Sequence, residues 1–142
     1  MDCSQVMKRN VRCVRPNDSV FDAATEMRTH NIGFLPVCAP DGTPVGVVTD
    51  RDLVVRGMAA GLPGTAAVKD VMTPGSLVCV SHRASLQRAE DLMARNQVSR
   101  VLCLDDTGHV VGVISLSDIP SHDTAERTKR VLAGIVEREA RP

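Results

Sequence analysis

Two short stretches hold the residues best placed to do chemistry. Gly46-Val47-Val48-Thr49-Asp50-Arg51-Asp52 and Gly112-Val113-Ile114-Ser115-Leu116-Ser117-Asp118 each run from a glycine through two β-branched residues to a hydroxyl, with a carboxylate three residues further on. Two readings fit that spacing. Thr49-x-x-Asp52 and Ser115-x-x-Asp118 have capping-box form, in which hydroxyl and carboxylate satisfy orphan N–H groups at a strand-to-helix junction. Alternatively, each is a ribose-phosphate site: the carboxylate accepts from vicinal hydroxyls, and the exposed N–H groups and helix dipole favour a phosphate.

Other chemistry-bearing residues do not assemble into a known pattern. His30, His82, His109 and His122 lack H-x-x-x-H or H-E-x-x-H spacing, and the five cysteines contain no C-x-x-C pair, so no metal site is expected. Four cysteines, Cys13, Cys38, Cys79 and Cys103, lie in apolar runs and read as small buried hydrophobes. There is no Walker loop and no G-x-G-x-x-G, and Gly57-Met58-Ala59-Ala60-Gly61 reads as a frayed helix end. No nucleophile-base set stands out and the two carboxylates do not form a local pair, so no catalytic residue is expected and the chain is read as a non-enzyme.

The elements that position the two stretches are themselves repeated. Asp118 follows Asp52 by 66 residues, and the same offset relates Cys13-Val14 to Cys79-Val80, Ser19 to Ser85, Ala23 to Ala89, Met27 to Met93 and Gly42 to Gly108. A one-residue slip aligns Val6-Met7 with Val71-Met72. The chain therefore reads as unit one (5–60), a linker (61–68) opening on Gly61-Leu62-Pro63-Gly64-Thr65, unit two (69–123) and a C-terminal segment (124–142).

Each unit parses as strand, helix, strand, strand, helix. Ser19 is placed as an N-cap, with Val20, Ala23, Ala24 and Met27 forming one helical stripe that Leu86, Ala89 and Met93 repeat. Phe34–Cys38 and Val45–Val48 flank the turn Asp41-Gly42, as Val101–Leu104 and Val110–Ile114 flank Thr107-Gly108. A second helix is predicted from Asp50 to Ala60, stopped by Gly61; its counterpart meets Pro120 after one turn. The expected fold is α+β, with two tandem β-α-β-β-α units packed face to face in pseudo-two-fold symmetry, since one unit alone leaves little core. Residues 124–140 read as a further helix with Val131, Leu132, Ile135 and Val136 on its apolar stripe, docked on its own domain or on another subunit.

Composition narrows the function classes. Seventeen basic residues balance seventeen acidic ones, so no basic field invites a nucleic-acid backbone. With no Trp, no Tyr and two Phe, the chain has no aromatic platform for stacking bases or caging cations. No apolar run is long enough for a membrane span and the N-terminus lacks a signal-peptide pattern, so a cytoplasmic protein is expected.

The duplicated motif, with Val68-Lys69-Asp70-Val71-Met72-Thr73 opening unit two, resembles the tandem CBS (cystathionine-β-synthase) domain pair, or Bateman module, as found in stand-alone bacterial proteins. Gly112 to Ile119 is similar to the nucleotide-binding segment of the regulatory gamma subunit of AMP-activated protein kinase. The resemblance implies that Asp52 with Thr49, and Asp118 with Ser115 and Ser117, contact ribose and phosphate. It places a phosphate-contacting cation at Arg100, where unit one has Phe34 and offers Arg51 instead. It lines an adenine slot with Val11, Arg12, Ile32, Gly33 and Pro36 in unit one, and with Leu77, Val78, Val98, Ser99 and Leu102 in unit two. The implied function is a regulatory module that binds AMP, ADP, ATP, NAD or S-adenosylmethionine between its repeats, forms a homodimer and signals to an effector protein. The alternative is a ligand-free dimerisation scaffold in which both aspartates are only helix caps.

Overall fold

The computed structural model describes residues 1–74, 77–119 and 125–139. In chain order the elements are α1 (Cys3–Val6), α2 (Val20–His30), β1 (Phe34–Cys38), β2 (Pro44–Thr49) and the single turn α3 (Asp50–Asp52), which runs into a π-helical segment (Leu53–Met58). A 3-10 turn (Val68–Asp70), β3 (Thr73–Pro74), β4 (Cys79–Ser81), α4 (Leu86–Asn96), β5 (Arg100–Leu104), β6 (Val110–Ser115), a second 3-10 turn (Leu116–Asp118) and α5 (Ala125–Glu139) complete an α+β fold. Pro120 and the ends of the proposed C-terminal helix, Thr124 and Ala140, lie outside the described residues.

The chain forms two compact units, but not from two contiguous halves. The first is Val11–Leu77; the second joins Met1–Asn10 to the chain from Val78 onward. In the first, β1 and β2 pair antiparallel, with Phe34 opposite Thr49, and β3 adds to β2 through Val47 opposite Thr73. Val14 bridges Val37 in parallel on the far edge of β1. In the second, β4 pairs parallel with β5, β5 pairs antiparallel with β6, and Lys8 bridges Val113 on β6. The two sheets thus have one plan. The strand position of Thr73 in the first unit is held in the second by Lys8.

Two glycines explain why these lead segments fit. A Cβ on Gly46 would lie 2.8 Å from Met72 Sδ and 3.1 Å from the Thr73 carbonyl oxygen; one on Gly112 would lie 2.7 Å from Met7 Cγ and 2.9 Å from Met7 Cβ. Each methionine packs into the space that a missing side chain leaves on the neighbouring strand. The stretch read as a linker is likewise structured from Gly64 on. Its carbonyls accept from the Val20 and Phe21 N–H groups, the Val68 N–H donates to Asp18, and Val68 is fully buried beside Val71.

Local signals account for the helix ends. Ser19 Oγ accepts from Asp22 N at 3.0 Å and Ser85 Oγ from Arg88 N at 3.3 Å, capping α2 and α4. Asn31 and Gln97 close the same helices at φ 51° and 53°. On α2, Ala23 and Met27 are buried while Ala24 of the expected stripe is exposed; on α4, Leu86, Ala89 and Met93 are all buried. The helix expected over Asp50–Ala60 has α-geometry for one turn only and continues in π-form, ending at Gly61 (φ 76°). On α5, Val131 and Ile135 are buried in the second unit's core, whereas Leu132 and Val136 are exposed. The cysteines depart from expectation too: Cys3, Cys38 and Cys103 are buried, Cys79 is half-buried and Cys13 is exposed.

Candidate functional site

Both hydroxyl-carboxylate motifs sit where the second strand of a hairpin, β2 or β6, turns into a helical segment. The backbone direction changes at Thr49 and at Ser115, both extended, and the next residues coil. In the first unit, Asp52 Oδ2 accepts from Thr49 N at 3.0 Å while Thr49 Oγ1 accepts from Asp52 N at 3.2 Å, a complete capping box. In the second, Asp118 Oδ2 accepts from Ser115 N at 2.9 Å and from Ser115 Oγ at 2.8 Å. Ser117 Oγ lies 2.7 Å from Ser115 Oγ. The capping interpretation is therefore satisfied by one carboxylate oxygen in each unit. The other, Oδ1, points away from the cap.

What meets that second oxygen differs. Lys8 Nζ lies 3.4 Å from Asp118 Oδ1, its side chain 72% exposed against 14% for the aspartate. Its backbone is fixed by two bonds to Val113, Lys8 N to the Val113 oxygen at 2.9 Å and Val113 N to the Lys8 oxygen at 3.0 Å. In the first unit Arg56 reaches Asp52 Oδ1 at 4.0 Å and donates to the Met72 carbonyl at 3.1 Å. Sequence reasoning missed both cations. Arg56 was legible as an i,i+4 partner of Asp52. Lys8 was not, because nothing local ties it to residue 118.

The remaining expected residues fall into place around these. Arg100 stands opposite Ser115 across the β5–β6 pair, with Nη1 3.5 Å from Ser99 Oγ, while Lys8 is the cation beside the second carboxylate. Phe34 occupies the matching place beside Thr49. Arg51 is exposed, and the cation that approaches Asp52 is Arg56. The loops before β1 and β5 are tied to the motif turns: the Gly33 oxygen accepts from Asp50 N at 3.0 Å, and the Ser99 oxygen from Leu116 N at 2.8 Å. A Cβ on Gly33 would lie 2.8 Å from Asp50 Oδ2, so a carboxylate overlies Gly33, where the second unit has Leu116. Ile32 is exposed, and Val11 and Val98 are half-buried. Pro36 and Leu102 are buried on the sheet faces opposite Leu35 and Val101, which belong to the two cores. Arg12 is directed to α2 instead, its Nε 2.9 Å from His30 Nε2 and 3.3 Å from Glu26 Oε2. Leu77 closes the first compact unit, whereas Val78 belongs to the second and its oxygen accepts from Leu102 N.

Burial pushes the Asp118 carboxyl up, but the Ser115 N–H and Oγ–H and the Lys8 ammonium outweigh it and hold it below the ordinary 3.8. A depressed carboxylate contributes stability that is complete above its unfolded value and lost as pH falls beneath it. Denaturation profiles between about pH 6 and pH 3 should therefore show Asp118→Asn losing less stability on acidification than the parent chain. Equal losses would show that this carboxylate contributes nothing to acid sensitivity.

Comparison with known proteins agrees with the duplicated geometry. The CBS domain family model matches twice, over residues 3–57 and 68–122. The chain belongs to the CBS-domain family. It is 36% identical over 117 residues to Hypoxic response protein 1 of Mycobacterium tuberculosis, covering 82% of this chain and 81% of that one. It is 38% identical over 126 residues to the uncharacterized protein YlbB of Bacillus subtilis, covering 87% and 84%. Among solved structures, Hypoxic Response Protein I with two coordinated zinc ions superposes with a TM-score of 0.77 at 32% identity, covering 87% of this chain and 100% of that one. CBSX2 in complex with AMP superposes with 0.72 at 26% identity, covering 84% and 93%. The CBS pair expected from the repeat is thus established, and no helix among the described residues is long and apolar enough to cross a membrane.

Proposed function

We propose that this CBS pair is a regulatory module that binds an adenine-containing ligand, with the better site in the second unit. The observation that carries the reading is the Asp118 carboxylate, with one oxygen on Ser115, which Ser117 also meets, and the other facing Lys8, while Arg100 stands on the neighbouring strand opposite Ser115. A ribose presents two vicinal hydroxyls to Asp118 Oδ1, displacing the lysine, whose exposed ammonium and the Arg100 guanidinium then face the phosphate. In the first unit the Asp50 carboxylate over Gly33 opposes an anion, and Arg56 supplies the cation. AMP, ADP, ATP, NAD and S-adenosylmethionine all carry the required ribose, and the AMP complex of CBSX2 supports AMP as the first ligand to try. The bound state is read by an effector protein, without turnover of the ligand.

The lack of Trp and Tyr makes the first test simple. The pure, nucleic-acid-free protein should barely absorb at wavelengths where adenine does, so a clear adenine band that survives gel filtration supports the reading. Its absence, together with no calorimetric heat on adding AMP, overturns it. Lys8→Met should weaken AMP about tenfold while leaving adenosine, which has no phosphate, unchanged or tighter. An equal effect on both would remove Lys8 from phosphate recognition.

The scaffold reading is favoured by one observation, the satisfied capping boxes, and shares the expectation of a homodimer. Phe21 and Met58 are 67% and 76% exposed, with Val54 and Val55 beside Met58 on the π-helical segment. Large apolar side chains left in water on helices of one unit favour burial against a second copy. Light scattering at micromolar concentration should report about twice 15.2 kDa. A monomer would leave these side chains to another partner.

A further inference from the structure

Four of the five cysteines form two neighbouring thiol pairs that differ in access to solvent. In the first unit Cys13 and Cys38 are side-chain neighbours whose titrations influence one another, as are Cys3 and Cys103 in the second. Cys3 and Cys103 are both fully buried, and Cys3 Sγ also lies 3.5 Å from the Ser85 carbonyl oxygen. Cys13 is exposed and Cys38 is buried beneath it. Backbone pairing holds the first pair in place. The Val14 N–H donates to the Pro36 oxygen at 3.0 Å and the Cys38 N–H to the Val14 oxygen at 2.9 Å, so Cys13 and Cys38 lie diagonally across a parallel bridge. Val14 and Val37 face the core, so strand alternation puts both thiols on the opposite face, which they share with Pro36, the residue in register with Cys13.

We propose that Cys13 and Cys38 form a peroxide-responsive thiol pair, in which Cys13 is the attacking sulfur and Cys38 the resolving one. The Cys13 thiolate attacks a peroxide oxygen, the O–O bond breaks, water leaves after taking up a proton, and Cys13 becomes a sulfenic acid. The Cys38 sulfur then attacks Cys13, the S–O bond breaks, and the Cys38 proton leaves with the hydroxide as a second water. One peroxide is reduced to two waters and two thiols are oxidised to one disulfide. The chemistry at each sulfur suits its role. The hydrogen bond from Cys38, stronger here than the opposing desolvation, and the nearby Arg15 lower Cys13 to about 7, so about half of it is thiolate at neutral pH. Cys38, beside Cys13 and out of solvent, is pushed well up and keeps its proton until the second step. The Cys3–Cys103 pair has the same contact without access, and serves as an internal control.

The disulfide would tie residues 11–15, held on β1 by the Val14 bridge, to the end of that strand. Its formation does not depend on nucleotide binding. Native protein is treated with a modest excess of hydrogen peroxide, quenched, denatured and titrated for free thiols. The expected result is a fall from five thiols to three, a Cys13–Cys38 linked peptide on mass spectrometry, and a melting temperature raised by more than about 5 °C. In Cys38→Ser, Cys13 should instead stop at the sulfenic acid, trapped by dimedone, and in Cys13→Ser all four remaining thiols should survive. The rate of Cys13 alkylation should rise with a midpoint near pH 7 and shift toward about 8.5 in Cys38→Ala. Five surviving thiols, oxidation of Cys3 with Cys103 first, or Cys13-linked dimers in place of the internal bridge would each overturn the proposal.

Discussion

Gly112→Val is expected to cost on the order of 3 kcal/mol and lower the melting temperature by about 10 °C, the largest stability effect of any single substitution considered. The added carbons would meet Met7 at Sδ and, behind it, at Cγ and Cβ, so the clash runs back to the root of the side chain and the methionine cannot swing clear. Relief requires moving the backbone, and there the segment is held by Cys3 N to the Ala84 oxygen at 2.8 Å and by the paired bonds between Lys8 and Val113. Met7 and Cys3 belong to the second unit's core, so displacing them opens that core as well. Met7→Ala alone should also destabilise, but the double variant should recover part of the loss, a coupling that a thermodynamic cycle measures. Independent, additive losses would show that Gly112 and Met7 do not meet. Removal of the first ten residues should expose the same edge of β6 and take Lys8 from Asp118 at once.

Asp118→Ala should weaken AMP roughly ten- to hundredfold and largely erase discrimination against 2′-deoxy-AMP, both read by calorimetry. In the parent chain, the deoxy ligand leaves a partly desolvated carboxylate oxygen short of one donor, and the same range of loss is expected from the ligand side. Because Asp118 Oδ2 caps the Ser115 turn, the variant also loses about 1 kcal/mol of stability, so a lower melting temperature by itself distinguishes nothing. Asp52→Ala is the matched control. It removes the corresponding bond from Thr49 N, and should cost similar stability while leaving most AMP affinity in place. If Asp118→Ala destabilises as Asp52→Ala does and AMP binds unchanged, the carboxylate is a cap and the scaffold reading stands.

The sequence by itself determined whatever depends on neighbours a few residues apart. The N-caps at Ser19 and Ser85, the hairpin turns at Gly42 and Gly108, and the hydroxyl-carboxylate boxes all rest on bonds closed within one turn, residue type decides those, and the 66-residue repeat writes each of them twice. The site carboxylates were therefore legible, with both of their possible uses. Tertiary structure decided which lead segment completes which sheet. Val6-Met7-Lys8 and Val71-Met72-Thr73 carry the same valine and methionine, and Gly46 and Gly112 offer the same space, so nothing local assigns either segment to either edge. The chain places Thr73 on β2 and Lys8 on β6, the latter a pairing across more than a hundred residues. That choice puts a lysine on Asp118 and none on Asp52, and it gives Cys3 its buried partner. Cys13 and Cys38 meet for a related reason: a parallel bridge joins strands that cannot be adjacent in sequence, and strand alternation then sets both thiols on one face.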